Sequence, residues 1–358
     1  MCDARHDDAL TATRLAPRPV GREVPQHEPL HLEPVDSVVV TTLVDNVIDV
    51  LMADTGPARR LRLDRLAPVR AATLEGEVPS PPVAEHGFSA LVEVRRAGGT
   101  VHRILFDTGV SPDGMVQNMR RLELSPGDGE VVVCSHGHFD HTTGLDGFVR
   151  AVGRASLPVL IHPEFWSRRR LAIPGRDPFE LPTTSRGALV DAGFDIIERQ
   201  QPSFLFEQSV LVTGEVDRTT EFETGFPVHQ AWRDGDWQPD PLILDDQALV
   251  VHVRGKGLVV LTGCGHAGVV NILRYVRRLT AVDDVHAVIG GFHLTGPLFE
   301  PIIPPTVAAL ADLRPDVVVP AHCTGWRAVH AIAARMPDAF IPNSIGTRIE
   351  LEAAPDVP

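Results

Sequence analysis

Lysine is almost missing from this chain: Lys256 is the only one, and every other basic side chain is arginine. Basic residues number 33 against 47 acidic, for a net charge of −14. A chain so short of positive charge lacks the basic face that neutralises phosphates, which argues against holding nucleic acid. Cysteine is scarce as well, with only Cys2, Cys134, Cys264 and Cys323. Three of these lie within two positions of a histidine. That pattern predicts reduced thiols in a cytoplasmic setting, not a disulfide framework. No run of apolar residues reaches the roughly 18 needed to span a bilayer, so no membrane segment is expected. The first residues, Met1 to Asp8, lack a basic stretch followed by an apolar one, so no secretory signal is expected either.

What is present is apolar substance in short strand-like runs. At 43% hydrophobic, 358 residues can build one large core. Residues 1–36 are polar and rich in proline, and predict a flexible extension. Residues 37–358 read as one domain with an irregular insertion near 163–244. Ser89–Val94 and Val101–Phe106 flank Gly98-Gly99 and predict a hairpin, as do Ala248–Val253 and Leu258–Thr262 around Gly255-Lys256-Gly257. Each hairpin precedes strand–loop–helix units. The expected class is α+β, two mixed sheets face to face with helices outside. Residues 219–244 show no clear period and predict a long surface excursion.

The chain is organised around Val131 to Leu145. Val131–Cys134 reads as a buried strand, and its end carries His136, His138, Asp140 and His141 within six positions. Ligands gather at the carboxyl ends of strands in α/β sheets. His136, His138 and Asp140 share parity, so extended backbone would aim all three the same way, with His141 reaching a second point. Imidazoles and a carboxylate suit zinc, iron or manganese. Such a loop needs further donors. His322, after Val317–Pro320, and His266, with Gly263 and Gly265 before it, are the outside candidates. Cys264 is either a thiolate ligand or a small buried thiol. His293 is either a substrate contact or structural. Asp107 is expected to brace the loop by hydrogen bonds, and His162 is left open. His86, His102, His252, His286 and His330 are read as structural or surface residues.

His136-Gly-His138-Phe-Asp140-His141 is the H-x-H-x-D-H signature of the metallo-β-lactamase superfamily, and the chain resembles that superfamily over about residues 38–348. Further pieces are similar to the branch known as 7,8-dihydropterin-6-methyl-4-(β-D-ribofuranosyl)aminobenzene-5′-phosphate synthase, also called dihydropteroate-synthase-like. These are Thr42–Asn46, Glu85–Ser89, Leu105–Gly109, Gly263–Gly268, Gly290–Leu294 and Pro320–Gly325. The resemblance implies an αββα four-layer sandwich with a metal site at one edge. There are departures: Cys264 stands where many members have a bridging aspartate, and Gly214-Glu215 where many have a histidine. His266 or Glu215 is then the substitute ligand at the second site.

The resemblance implies three activities. The first is a metal-dependent hydrolase acting on a small-molecule ester, lactone or phosphoester, using water whose pKa two divalent ions, zinc foremost, lower toward neutrality. His136, His138 and His322 would hold one ion, and Asp140, His141 and His266 the other, with Asp140 also moving a proton. The second is a transferase condensing a pterin diphosphate with an arylamine, with Asn46, His293 and Arg327 as substrate contacts. The third is a di-iron redox or binding protein on the same scaffold.

Overall fold

The computed structural model describes residues 10–12, 28–153 and 156–355. Most of the expected N-terminal extension, Cys2 included, lies outside the described residues. Two large sheets carry the fold. One has eight strands in the order Phe194–Glu198, Leu157–Ile161, Val131–Val133, Val101–Phe106, Ser89–Arg95, Ser37–Val44, Arg348–Glu352 and Ala58–Arg59. The other has seven, in the order Leu10–Ala12, Ser203–Leu205, Val210–Val212, Leu249–Val253, Gly257–Thr262, Val285–Gly291 and Val317–Ala321.

Strand alternation builds the layers. Ala90, Val92, Val94, Ile104 and Phe106 face inward, where they share one buried cluster with Leu249, Val251, Val259, Leu261 and Ile289 of the opposite sheet. The alternate residues Leu91, Leu105 and Val132 face outward onto Met115, Met119 and Phe148 of the helices Gly114–Arg121 and Leu145–Val152. Val250, Val260, Val288 and Val318 do the same against the helices Val269–Thr280, Ile303–Asp312 and Trp326–Arg335. Both faces of each sheet are thus covered, which is why the strands read as unbroken apolar runs. The result is the expected αββα sandwich. No helix among the described residues is long and apolar enough to cross a membrane.

The stretch 219–244 departs from the expected excursion. His229–Arg233 and Asp236–Pro239 pair antiparallel and join Arg169–Leu171 and Phe179–Leu181 in a small four-stranded sheet. Between them Asp234 and Gly235 have φ of 52° and 84°. Two successive residues at positive φ suit the twist of a tight hairpin, and Asp-Gly is a preferred pair for it. That signal was in the sequence; acidic and proline-rich flanks obscured it.

Chain direction positions the site. The strand pairs Val101–Phe106 with Val131–Val133 and Val131–Val133 with Leu157–Ile161 are parallel. In the other sheet Gly257–Thr262, Val285–Gly291 and Val317–Ala321 are also parallel to one another. Their carboxyl ends deliver Asp107, His136, His162, Cys264, His293 and His322 to one edge of the sandwich. Gly263 lies where the sheets meet: a Cβ there would be 2.0 Å from Ser135 Oγ and 2.7 Å from Asp107 Oδ2.

Candidate metal centre

After Val133 the chain stays extended only through His138, whose φ and ψ are −74° and 144°. Phe139–Thr142 then turns helical. This corrects the parity expectation: the turn carries Asp140 out of line with His136 and His138 and sets it beside His141. Two ligand groups result, and in each the donor atoms lie within 4.8 Å of one another. His136, His138 and His266 form one; Asp140, His141, Cys264 and His322 form the other. The expected partition is therefore exchanged, with His266 in the first group and His322 in the second. Cys264 also lies within the same reach of His266 and His293, so its sulfur is a corner shared between the groups.

In the first group His138 Nδ1 is 3.0 Å from His136 Nε2 and 3.2 Å from His266 Nε2. In the second, His141 Nε2 is 3.1 Å from Cys264 Sγ, and His322 Nε2 is 3.3 Å from Asp140 Oδ2. Asp107 braces both, as expected. It is fully buried, accepts from His141 Nδ1 at 2.7 Å, from Ser135 N at 2.7 Å and from Ser135 Oγ at 2.7 Å. Ser135 Oγ in turn lies 2.9 Å from His136 Nδ1. A carboxylate on the far nitrogen fixes the ring and leaves Nε2 free to ligate. Asp107, His293 and His322 all sit at positive φ, of 56°, 42° and 48°. Side chains at such backbone conformations persist where their surroundings over-determine them, as at functional sites.

The helical turn is locked by close backbone approach. Thr108 N and Thr108 Oγ1 both donate to His141 O, at 2.8 and 3.0 Å. A Cβ on Gly144 would stand 1.9 Å from Thr108 O. Gly144→Ala must therefore shift backbone against backbone. An expected loss of about 1–3 kcal/mol, or more, should appear as a lower urea midpoint at unchanged m-value.

The electrostatics of the two groups differ. Burial, reinforced by the neighbouring imidazoles, holds His136, His138 and His266 well below the ordinary histidine value, so they are neutral donors. Burial also opposes charge on His141, but the Asp140 and Asp107 carboxylates outweigh it and push His141 up to about 9. Burial likewise opposes charge on Asp140, and His141 and His322 outweigh it, so Asp140 stays ionised. Burial raises the Cys264 thiol; a cation against the sulfur reverses that. His322 Nε2 is buried and lacks a hydrogen-bond partner. Imidazole, thiolate and carboxylate donors together fit divalent ions of borderline softness, with zinc, iron and manganese all compatible.

The signature of the metallo-beta-lactamase superfamily matches residues 84–322. The chain belongs to the metallo-beta-lactamase superfamily. Within it, the chain is 28% identical over 269 residues to the 7,8-dihydropterin-6-methyl-4-(beta-D-ribofuranosyl)-aminobenzene-5′-phosphate synthase of Methanocaldococcus jannaschii, covering 73% of this chain and 88% of that protein. It is 29% identical over 254 residues to an uncharacterized protein of the same organism, covering 69% of this chain and 86% of the other. A solved metal-dependent hydrolase of the superfamily superposes with a TM-score of 0.64 at 24% identity, over 89% of this chain and all of that one, and shows the shared fold.

The structure brings Asn46 to the site, where its Nδ2 donates to His322 O at 3.1 Å. His293 is also there, its ring 4.2 Å from that of His266 and its Nδ1 buried without a hydrogen-bond partner. Arg327 is not brought in: its side chain is 77% exposed on the outer helix and donates to Glu300 at 2.7 Å. A helix start close in sequence to His322 suggested a contact, but the side chain points away from the sheet edge. His162 and Glu215 lie near each other, Nε2 to Oε1 at 3.5 Å, outside both groups. His86, read as structural or surface, has a side chain 64% exposed, with its ring 4.8 Å from that of His322. His229 was missed altogether: it is fully buried, and its Nε2 is 3.0 Å from His138 Nε2. Only recognising the Asp234-Gly235 hairpin could have placed it.

Proposed function

We propose that this chain is a two-metal enzyme that joins a dihydropterin to an arylamine with loss of diphosphate. The observation that carries the reading is a pair of ligand groups sharing the Cys264 corner, with a cluster of mutually inclined aromatic rings beside them. His293 and Phe299 have ring centroids 4.4 Å apart, and Phe226 lies 5.3 Å from His293 and 5.0 Å from Phe299. All three are half-buried, and they offer faces on which a planar heterocycle stacks. The likeness to the dihydropterin synthase over most of both chains supports the same substrate class.

His136, His138 and His266 would hold one divalent ion, and Asp140, His141, Cys264 and His322 the other, zinc foremost, with iron or manganese as alternatives. Such ions supply Lewis acidity for an anionic leaving group. The chain's own residues would do the rest. A ring of the aromatic cluster orients the heterocycle, and Asn46 holds the His322 backbone. The amine nitrogen bonds to the exocyclic methylene carbon as the carbon–oxygen bond to diphosphate breaks. His86, whose side chain is 64% exposed and whose Nε2 lies 3.8 Å from Asp140 Oδ2, is placed to take the proton the amine gives up.

Hydrolysis of an ester, lactone or phosphoester is the second reading. It is favoured by Asp140, which keeps 14% of its side chain exposed and is ionised, so it can ligate an ion and orient an incoming water.

One experiment separates the readings. Purified protein is analysed for metals, then incubated with hydroxymethyldihydropterin diphosphate with and without an aminobenzoate-type acceptor, and with a panel of esters, lactones and phosphodiesters. Acceptor-dependent diphosphate release is the expected result. Turnover of the panel without an acceptor establishes hydrolysis instead. Protein that contains no transition metal, and whose best activity survives Asp140→Ala, would exclude both.

A further inference from the structure

His138 differs from the other histidines of the two groups because both of its ring nitrogens face another imidazole. Nδ1 points into the first group, 3.0 Å from His136 Nε2 and 3.2 Å from His266 Nε2. On the opposite side of the ring Nε2 meets His229 Nε2 at 3.0 Å. The Nδ1 of His229 is 3.1 Å from Asp240 O and 3.4 Å from Asp240 Oδ2. Asp240 is itself held by Arg233 at 3.0 Å.

With His229 neutral, these contacts allow one arrangement of protons. Both atoms of Asp240 are acceptors, so the His229 proton sits on Nδ1 and its Nε2 carries a lone pair. His138 then donates from Nε2, and its Nδ1 presents a lone pair to the centre of the first group. The reverse would set two lone pairs, or two N–H groups, against each other at 3.0 Å. We propose that His229, oriented by Asp240, is the positioning residue that fixes His138 as a metal donor through Nδ1.

His136 and His141 have their Nδ1 atoms tied to Ser135 and Asp107, so they offer Nε2. His138 must be turned the other way round, and neither Ser135 nor Asp107 contacts it. The His229–Arg233 strand supplies the partner from outside the two main sheets, which gives the small sheet a task at the centre. Partners on the far nitrogen of a ligating histidine set its tautomer and strengthen it as a donor.

The inference rests on the metal-centre reading above, and its test keeps the two apart. Binding of Zn²⁺ and Co²⁺ is measured by competition with a chromophoric chelator for wild type, His229→Phe and His229→Gln, with circular dichroism as the check on folding. His229→Phe is expected to bind about 10–100-fold more weakly and to change the visible Co²⁺ spectrum. His229→Gln, whose amide oxygen accepts from His138 Nε2–H, should recover most of both. Wild-type affinity and spectrum in His229→Phe would overturn the inference alone, as would a folded His229→Gln no better than His229→Phe. Wild type that binds neither ion would overturn the metal centre and this inference with it. If His229→Phe does not fold, nitrogen-15 NMR of the Zn²⁺-loaded wild type decides. The proton of His138 is expected on Nε2, and a proton on Nδ1 refutes the proposal.

Discussion

Arg169→Leu is expected to destabilise the fold by about 3–5 kcal/mol, because it strands a buried carboxylate. Arg169 is 2% exposed and Asp245 is fully buried. Arg169 grips Asp245 with both ends of its guanidinium, at 2.5 and 2.9 Å. Asp245 also accepts from Gly137 N at 2.8 Å, between the ligands His136 and His138. The pair therefore ties the small sheet to the metal loop. Arg169→Lys should recover little, since an ammonium lacks the planar fork that matches a carboxylate.

The same pair makes stability depend on acid. Burial alone would raise Asp245, but Arg169 outweighs it and lowers it to about 2, from an ordinary 3.8. A carboxylate lowered in the folded state contributes fully above its unfolded value. That contribution is lost as pH falls through the folded one. Wild type should thus lose this contribution between roughly pH 4 and pH 2. Urea midpoints for wild type and Arg169→Leu across that window are the measurement. A loss under about 1 kcal/mol at neutral pH would refute the account, since an exposed ion pair is worth that little.

Cys264→Ala is expected to lower turnover on the order of 10³-fold, several kcal/mol of barrier, and to weaken metal binding in both groups together. The reason is its shared position: the sulfur lies 3.1 Å from His141 Nε2 and is also grouped with His266 and His293. A residue ligating in one group only would weaken that group alone. Cys264→Asp should keep the metal while losing the thiolate-to-cobalt absorption of the Co²⁺-loaded protein, because a carboxylate can occupy the same corner. Elemental analysis and chelator competition check the first expectation, and the near-ultraviolet spectrum checks the second. If Cys264→Ala binds metal as wild type does, the sulfur is only a small buried group.

Local signals carried much of the architecture. Apolar runs at Ser37–Val44, Val101–Phe106, Val131–Val133 and Val285–Gly291 were legible because both faces of each sheet are covered, leaving no polar alternation to blur them. The helix Val269–Thr280 was legible from its period, and the ligand loop from its composition. His229–Arg233 was not: its buried and exposed positions alternate over only five residues, and Asp234, Asp236 and Pro239 around it resemble a loop.

By itself the sequence determined which donor types exist, that they follow apolar strands, and that those strands alternate with helices in two similar halves. These are properties of neighbours along the chain, set by strand and helix periods and by the chemistry of each side chain. Only the tertiary structure decided which donors share a group. It placed His322 with Asp140 and His141, His266 with His136 and His138, Cys264 between them, and His229 behind His138. It also turned Arg327 to solvent. Those pairings depend on one helical turn at Phe139, held by Thr108 some thirty positions away, and on two sheets meeting at Gly263, against Ser135 and Asp107 more than a hundred positions away.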